Sequence, residues 1–412
     1  MKTPLLPCVK WIAAGLLMVS TAAAAGELQL IVGATGVADE FGYAVSADNN
    51  LMLAGAPGEA DQTGAAYVFR CGGGRCIQEA RLSDLTLDPG HHFGHDVAVA
   101  GADLFVSAPD QNGGVVYAFN RAAQGVVVPV AALVALDGEP LDRFGTALAV
   151  DADTLVIGAP GDNDNRGAVF VFVRDGGSWV QQFELYAWDG LAGDGFGMAV
   201  AVQGDRISVG APFDGGLGAG SPYARGAVYT FTRANGLWSP EAKLVSSTAQ
   251  NGDLFGRSVA LSATRLVVGT PGAASGLGRV FWFERPSGSW APAGNTGPPT
   301  PIAKQRFGWN LELNGNDVWV GAPFTALNTN PSCGAFVLLR DTAGTLSPAT
   351  VPALRNPLPG DMTGWRLAAW GSYLYAAAPG RNISLEQQGA VAWFDAVDQI
   401  ADGSFEESIA CP

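Results

Sequence analysis

FGTALAVDADTLVIGAP, residues 144–160, holds the fold in miniature. It opens on Phe-Gly and closes on Gly-Ala-Pro, with two apolar runs around a polar turn. In the first run the bulky Leu148 and Val150 alternate with the small Ala147 and Ala149. A period of two marks a β-strand, here with one bulky face and one small face. Asp151-Ala152-Asp153 reads as the turn, and residues 154–159 as a second strand. Proline cannot donate to a ladder, so Pro160 marks that strand's end.

The same frame recurs along the chain. Phe-Gly returns at Phe41, Phe93, Phe144, Phe196, Phe255 and Phe307, with Thr363-Gly364 as a degenerate seventh copy, at steps of 52, 51, 52, 59, 52 and 56 residues. In every copy the Gly lies 13 residues before a Gly-Ala-Pro or near-match, such as Ser107-Ala108-Pro109 or Gly269-Thr270-Pro271. Such regularity is the signature of a repeat architecture. A third strand starts on Gly64, Gly114, Gly167, Gly226, Gly278, Gly334 and Gly389. A weaker fourth carries Leu82, Leu133, Leu185 and Leu244, each 11 residues before the next Phe-Gly, and Leu30 keeps that distance from Phe41. The seventh copy has no convincing fourth strand, so residues 27–32 are expected to supply it. The fold class is then all-β: a seven-bladed β-propeller of four-stranded blades, its ring closed by the N-terminal strand. An open row of sheets would expose two edges and leave Leu30 unexplained.

Recurring in this way, the paired motifs resemble the FG-GAP repeat, whose best-known members form the N-terminal propeller of integrin α chains. The resemblance spans about residues 27–395 and is nearest to the shorter, exported bacterial form. It implies a propeller used for adhesion or protein recognition, although a fold does not by itself grant a function. There is one departure. Integrin-type repeats that bind calcium insert a D-x-D-x-D-G-like loop between the first two strands. The constant frame here leaves only a tight turn at that place. Asp48, Asp103, Asp151, Asp153, Asp205 and Asp317 therefore read as solvated turn residues, and no metal or other cofactor is expected.

Composition agrees with this architecture. The 412 residues include 56 Gly and 25 Pro, with 48% hydrophobic and only 15% charged residues. That mixture excludes both a disordered polar chain and long helices. The net charge is −15, and only Lys243 and Lys304 remain as lysines beyond residue 25. An acidic body of this kind has no footprint for nucleic acid or anionic lipid. Residues 1–10 carry Lys2 and Lys10, residues 11–21 (WIAAGLLMVST) are apolar, and residues 22–25 are all Ala. This is the layout of a secretory signal peptide over residues 1–25, followed by a propeller over 26–395 and a tail over 396–412. The apolar run is too short to span a bilayer, and no other segment is a candidate. A secreted protein is expected, periplasmic, cell-surface or extracellular. Cys71 and Cys76, in CGGGRC, should bridge a hairpin tip, which leaves Cys333 to pair with Cys411.

Function should lie on the face that holds the loops before Phe-Gly and after Gly-Ala-Pro. There the steps from Pro to the Gly of strand three vary, at 7, 5, 7, 14, 7, 11 and 10 residues. Variable loops on a rigid scaffold are where binding usually sits. The longest, residues 213–225 (FDGGLGAGSPYAR), offers Asp214, Tyr223 and Arg225, and Trp188 precedes the same blade. These four are the candidate ligand-binding residues, and a patch centred on the fourth to seventh blades is expected around them. All three histidines fall in HHFGH, as His91, His92 and His95, and Asp162 to Asn165 read DNDN. Either could be imagined around a metal, but solvated or structural roles fit them better. Nucleophile elbows, zinc motifs and phosphate loops are missing. The reading is a non-enzymatic module with a protein partner. A lectin-like propeller is the alternative, weakened because Trp188, Trp309 and Trp365 do not recur in one register. A glycoside hydrolase comes third, and would need two carboxylates in a pocket.

Overall fold

The computed structural model describes residues 29–31, 33, 36–72, 75–83, 87–215, 224–326, 333–349, 359–382 and 387–395. The segments expected as a signal peptide (1–25) and a tail (396–412), together with Tyr223 and Cys411, lie outside these residues.

The described residues form seven four-stranded antiparallel sheets, and six of them run outward in chain order. The seventh is Leu367–Trp370, Tyr373–Ala378 and Ala390–Asp395, with Gln29–Ile31 paired antiparallel to the last of these. Each innermost strand packs against the next, from Val45–Asp48 round to Leu367–Trp370, which packs back on Val45–Asp48. The arrangement is a β-propeller.

The Phe-Gly motif explains itself in this setting. Phe41, Phe93, Phe144, Phe196, Phe255 and Phe307 are all buried. Five of them stand edge-on to two aromatic residues of their own blade's third strand. Phe196, for example, meets Tyr229 at 5.5 Å and Phe231 at 6.1 Å. Edge-to-face contact is the favoured aromatic geometry. In the seventh blade Thr363 stands in place of the Phe and Ala392 in place of the first partner, both buried, while the sequence keeps a ring, Phe394, at the second partner position.

The motif glycines lie at the seams between blades. Gly226, with φ +88°, bridges in parallel to Phe255 of the next blade, and a Cβ there would stand 2.1 Å from the Phe255 carbonyl oxygen. The Gly of Gly-Ala-Pro is as tightly held, since a Cβ on Gly210 would lie 2.0 Å from the Gly256 oxygen. Hydrophobic clusters cross the same seams. One joins Leu51, Leu53 and Val68 to Phe93, Val97 and Leu104 of the second blade, and another joins Tyr375 and Trp393 of the last blade to Phe41 and Met52 of the first.

Polar groups link the blades on the face opposite the variable loops. Arg121 bonds Glu79 at 2.6 Å, Arg174 bonds Asp103, Arg233 reaches Thr154 at 3.1 Å, Arg285 meets Glu241 at 2.6 Å, and Arg265 meets Asp341 at 2.9 Å. The turn aspartates are thus not merely solvated, as the sequence suggested. Asp48 and Asp151 accept bonds, each of 2.6 Å, from the N–H of Gly101 and Gly204 in the following blade. The outer strands blunt their free edges with a β-bulge in five blades, and Pro129, Pro240 and Pro292 sit opposite three of those bulges. Cys71 and Cys76 form the expected disulfide. Cys333 is buried and disulfide-bonded, but its expected partner lies outside the described residues.

Candidate binding face

The loops before Phe-Gly and after Gly-Ala-Pro meet on one face. Trp188 stands in the connection into the fourth blade, 47% exposed, with its ring edge-on to Tyr229 at 4.9 Å and Phe231 at 6.1 Å. The hydroxyl of Tyr229 faces two carboxylates, Asp189 Oδ1 at 2.7 Å and Asp214 Oδ2 at 2.6 Å. One hydroxyl has one proton, so it donates to one of them at a time. Lys243 Nζ supplies the rest, 2.8 Å from Asp189 Oδ2 and 2.9 Å from Asp214 Oδ2, and lies 5.1 Å from the centre of the Tyr229 ring. Burial works against the Lys243 charge, but the two carboxylates outweigh it and its pKa is raised. Burial and the same two acids push the Tyr229 hydroxyl up, so it stays a donor.

Of the four residues read from sequence, Trp188 and Asp214 are thus joined through Tyr229. Arg225 is tied to Asp214 by its backbone, its N–H donating to the Asp214 carbonyl at 3.2 Å. Its side chain is exposed and reaches Asn251 Oδ1 at 3.4 Å. Tyr223 lies outside the described residues. Tyr229 and Lys243 were missed because they sit on strands. Their signal was cross-strand pairing: Lys243, one of two lysines in the body, lies directly opposite Tyr229. The device repeats in part. Tyr67 bonds Glu59 at 2.6 Å beside Arg81, and Tyr117 bonds Gln111 at 2.9 Å.

A second cluster lies at the centre of this face. The residue after each Phe-Gly is Tyr43, His95, Thr146, Met198, Arg257, Trp309 or Trp365, so Trp309 and Trp365 do share a register. Five of the seven form an arc. His95 meets Tyr43 at 5.3 Å, Tyr43 meets Trp365 at 5.6 Å, Trp365 meets Trp309 at 5.3 Å, and the Arg257 guanidinium lies 4.3 Å from the Trp309 ring centre. Phe324, from the loop after Gly-Ala-Pro, backs Trp309 at 5.1 Å. Burial, aided by the charges of Arg366, Arg143 and Arg257, holds the His95 pKa down at about 3, so its imidazole is neutral at physiological pH.

The three histidines do not converge. His91 Nδ1 accepts from the Asp88 N–H at 3.1 Å, His92 lies 2.8 Å from Asp110, and His95 belongs to the arc. The DNDN run, Asp162–Asn165, forms a tight turn with Asn163, Asp164 and Asn165 at positive φ, in which Asp162 is pushed up to about 6 by burial and by Asp142. Among the described residues no three His, Cys, Asp or Glu side chains are placed to hold a metal ion. Exposed apolar side chains start one blade earlier on this face than the sequence suggested. Leu136 and Leu141, 83% and 82% exposed, lie in the connection into the third blade, and Leu191, 62% exposed, lies beside Trp188.

A family model described as the FG-GAP repeat matches residues 33–69, 128–172, 179–231 and 238–283, within the first, third, fourth and fifth blades and the strands that lead into them. No curated protein matches the chain. Among the described residues no helix is long and apolar enough to cross a membrane.

Proposed function

The chain is an FG-GAP repeat β-propeller, and from that premise we propose that it is an exported, non-enzymatic module that holds a protein partner on its variable-loop face. The observation that carries this reading is Trp188, half exposed and pinned from beneath by Tyr229 and Phe231. A large amphipathic side chain fixed before contact loses little freedom on binding, which is why such residues dominate interfaces. Leu136, Leu141 and Leu191 extend apolar surface on the neighbouring connections. Export is supported by the layout of residues 1–25, and the Cys71–Cys76 disulfide suits an oxidising compartment.

Capture from the native envelope, run beside a glycan array, tests the reading. A protein should be retained by the wild type, and its affinity should fall by about tenfold or more in Trp188→Ala, with an unchanged melting temperature. Glycan binding with no protein partner would favour the lectin-like alternative. Hydrolysis of a polymer that is lost in Asp214→Asn would sink both binding readings.

A further inference from the structure

Two guanidinium groups, Arg257 and Arg366, gather at the arc on the propeller axis of a protein whose net charge is −15. Arg257 stacks on Trp309, and no carboxylate pairs with it among the described residues. Arg366 reaches Asp96 only at 3.5 Å, and the other oxygen of Asp96 already accepts from the Leu148 N–H at 2.8 Å. Arg257 and Arg366 act on each other, on Tyr43 and on His95, from four different blades; Glu40 and Asp96 act on Tyr43 too, but neither acts on Arg257. A half-buried guanidinium without a counter-charge is costly to keep unless something anionic reaches it.

The aromatic side chains narrow the class of ligand. Tyr43, Trp365 and Trp309 are tilted at 44–49° to one another at 5.3–5.6 Å, and Arg257 and Phe324 occupy further surface of Trp309. Stacking on a sugar needs a flat, open ring face, whereas these rings are tilted onto one another. A carboxylate needs only the guanidinium and the electropositive edges of aromatic rings.

We propose that this arc receives an acidic side chain, aspartate or glutamate, from a protein partner, with Arg257 as its cation and Trp309, Trp365 and Tyr43 as its walls. The proposal rests on the loop face being the binding face, and it deepens that reading by naming the anchor.

Tryptophan fluorescence of the full chain provides the test, titrated with a blocked hexa-aspartate peptide beside hexa-lysine and an oligogalacturonate. Hexa-aspartate should give a saturable change. Its affinity should weaken by about tenfold or more in Arg257→Gln, recover in part in Arg257→Lys, and stay unchanged in Arg70→Gln, which removes an exposed cation of the first blade's third strand. Equal binding by Arg257→Gln overturns the proposal. So does a response to oligogalacturonate alone, which would make the site one for acidic glycans, and so does the lack of any saturable response. Partner capture that needs Trp188 but survives Arg257→Gln would sink the anchor and leave the loop-face reading standing. Failure of all capture, with hexa-aspartate still bound through Arg257, would do the reverse.

Discussion

Around the axis the innermost strands crowd together, and burial there alters the chemistry of single side chains. Glu312 is an instructive case. It lies on the innermost strand Leu311–Asn314, where burial pushes its carboxyl up to about 8 from an ordinary 4.5, while the Ala369 N–H, donating at 3.1 Å, pulls it down only in part. The folded state therefore holds a proton that the unfolded chain gives up near 4.5. Stability from this group is complete below pH 4.5 and is lost as pH rises towards 8. Glu312→Gln should abolish that loss, so urea midpoints of wild type and variant should diverge in the variant's favour between pH 5 and 8. Parallel curves would refute the assignment. The seam glycines were legible in the sequence because sterics at Gly210 and Gly226 admit nothing larger, and a steric rule leaves a constant letter. The axial arc was hidden for the opposite reason. Position alone defines it, and Tyr, His, Arg and Trp share no chemical pattern until the register is drawn across the blades.

Strands and their turns were the most readable level. Bulky and small faces alternate in the quoted segment, and Ala147 to Asp151 pair with Gly158 to Thr154 in the register that alternation requires. Less legible were the bonds between blades, because an arginine and its acid lie tens of residues apart. Arg265 shows their weight. Its side chain is only 9% exposed and bonds Glu284 in its own blade at 2.6 Å and Asp341 in the next at 2.9 Å. Arg265→Met would leave two acids without their cation and should cost about 3 kcal/mol by denaturant unfolding. Adding Asp341→Leu should recover much of that loss, because the stranded charge is then removed. A single variant as stable as the wild type would mean that the link contributes nothing.

At the scale of the whole molecule, seven sheets share their cores with their neighbours, so no blade is a self-sufficient unit. The seventh differs, since Gln29–Ile31 lies beside Ala390–Asp395. A variant lacking residues 29–31 should lose amide-exchange protection first over residues 390–395 and show a greater tendency to associate through the bared edge. Unaltered protection there would count against any stabilising role for this pairing. The pairing also orders events in time. Gln29–Ile31 finds its neighbour, Ala390–Asp395, only after the six intervening sheets have been made. If the chain is exported as proposed, that sheet would stay unfinished until residues 390–395 have crossed, and the seam would form only on the far side.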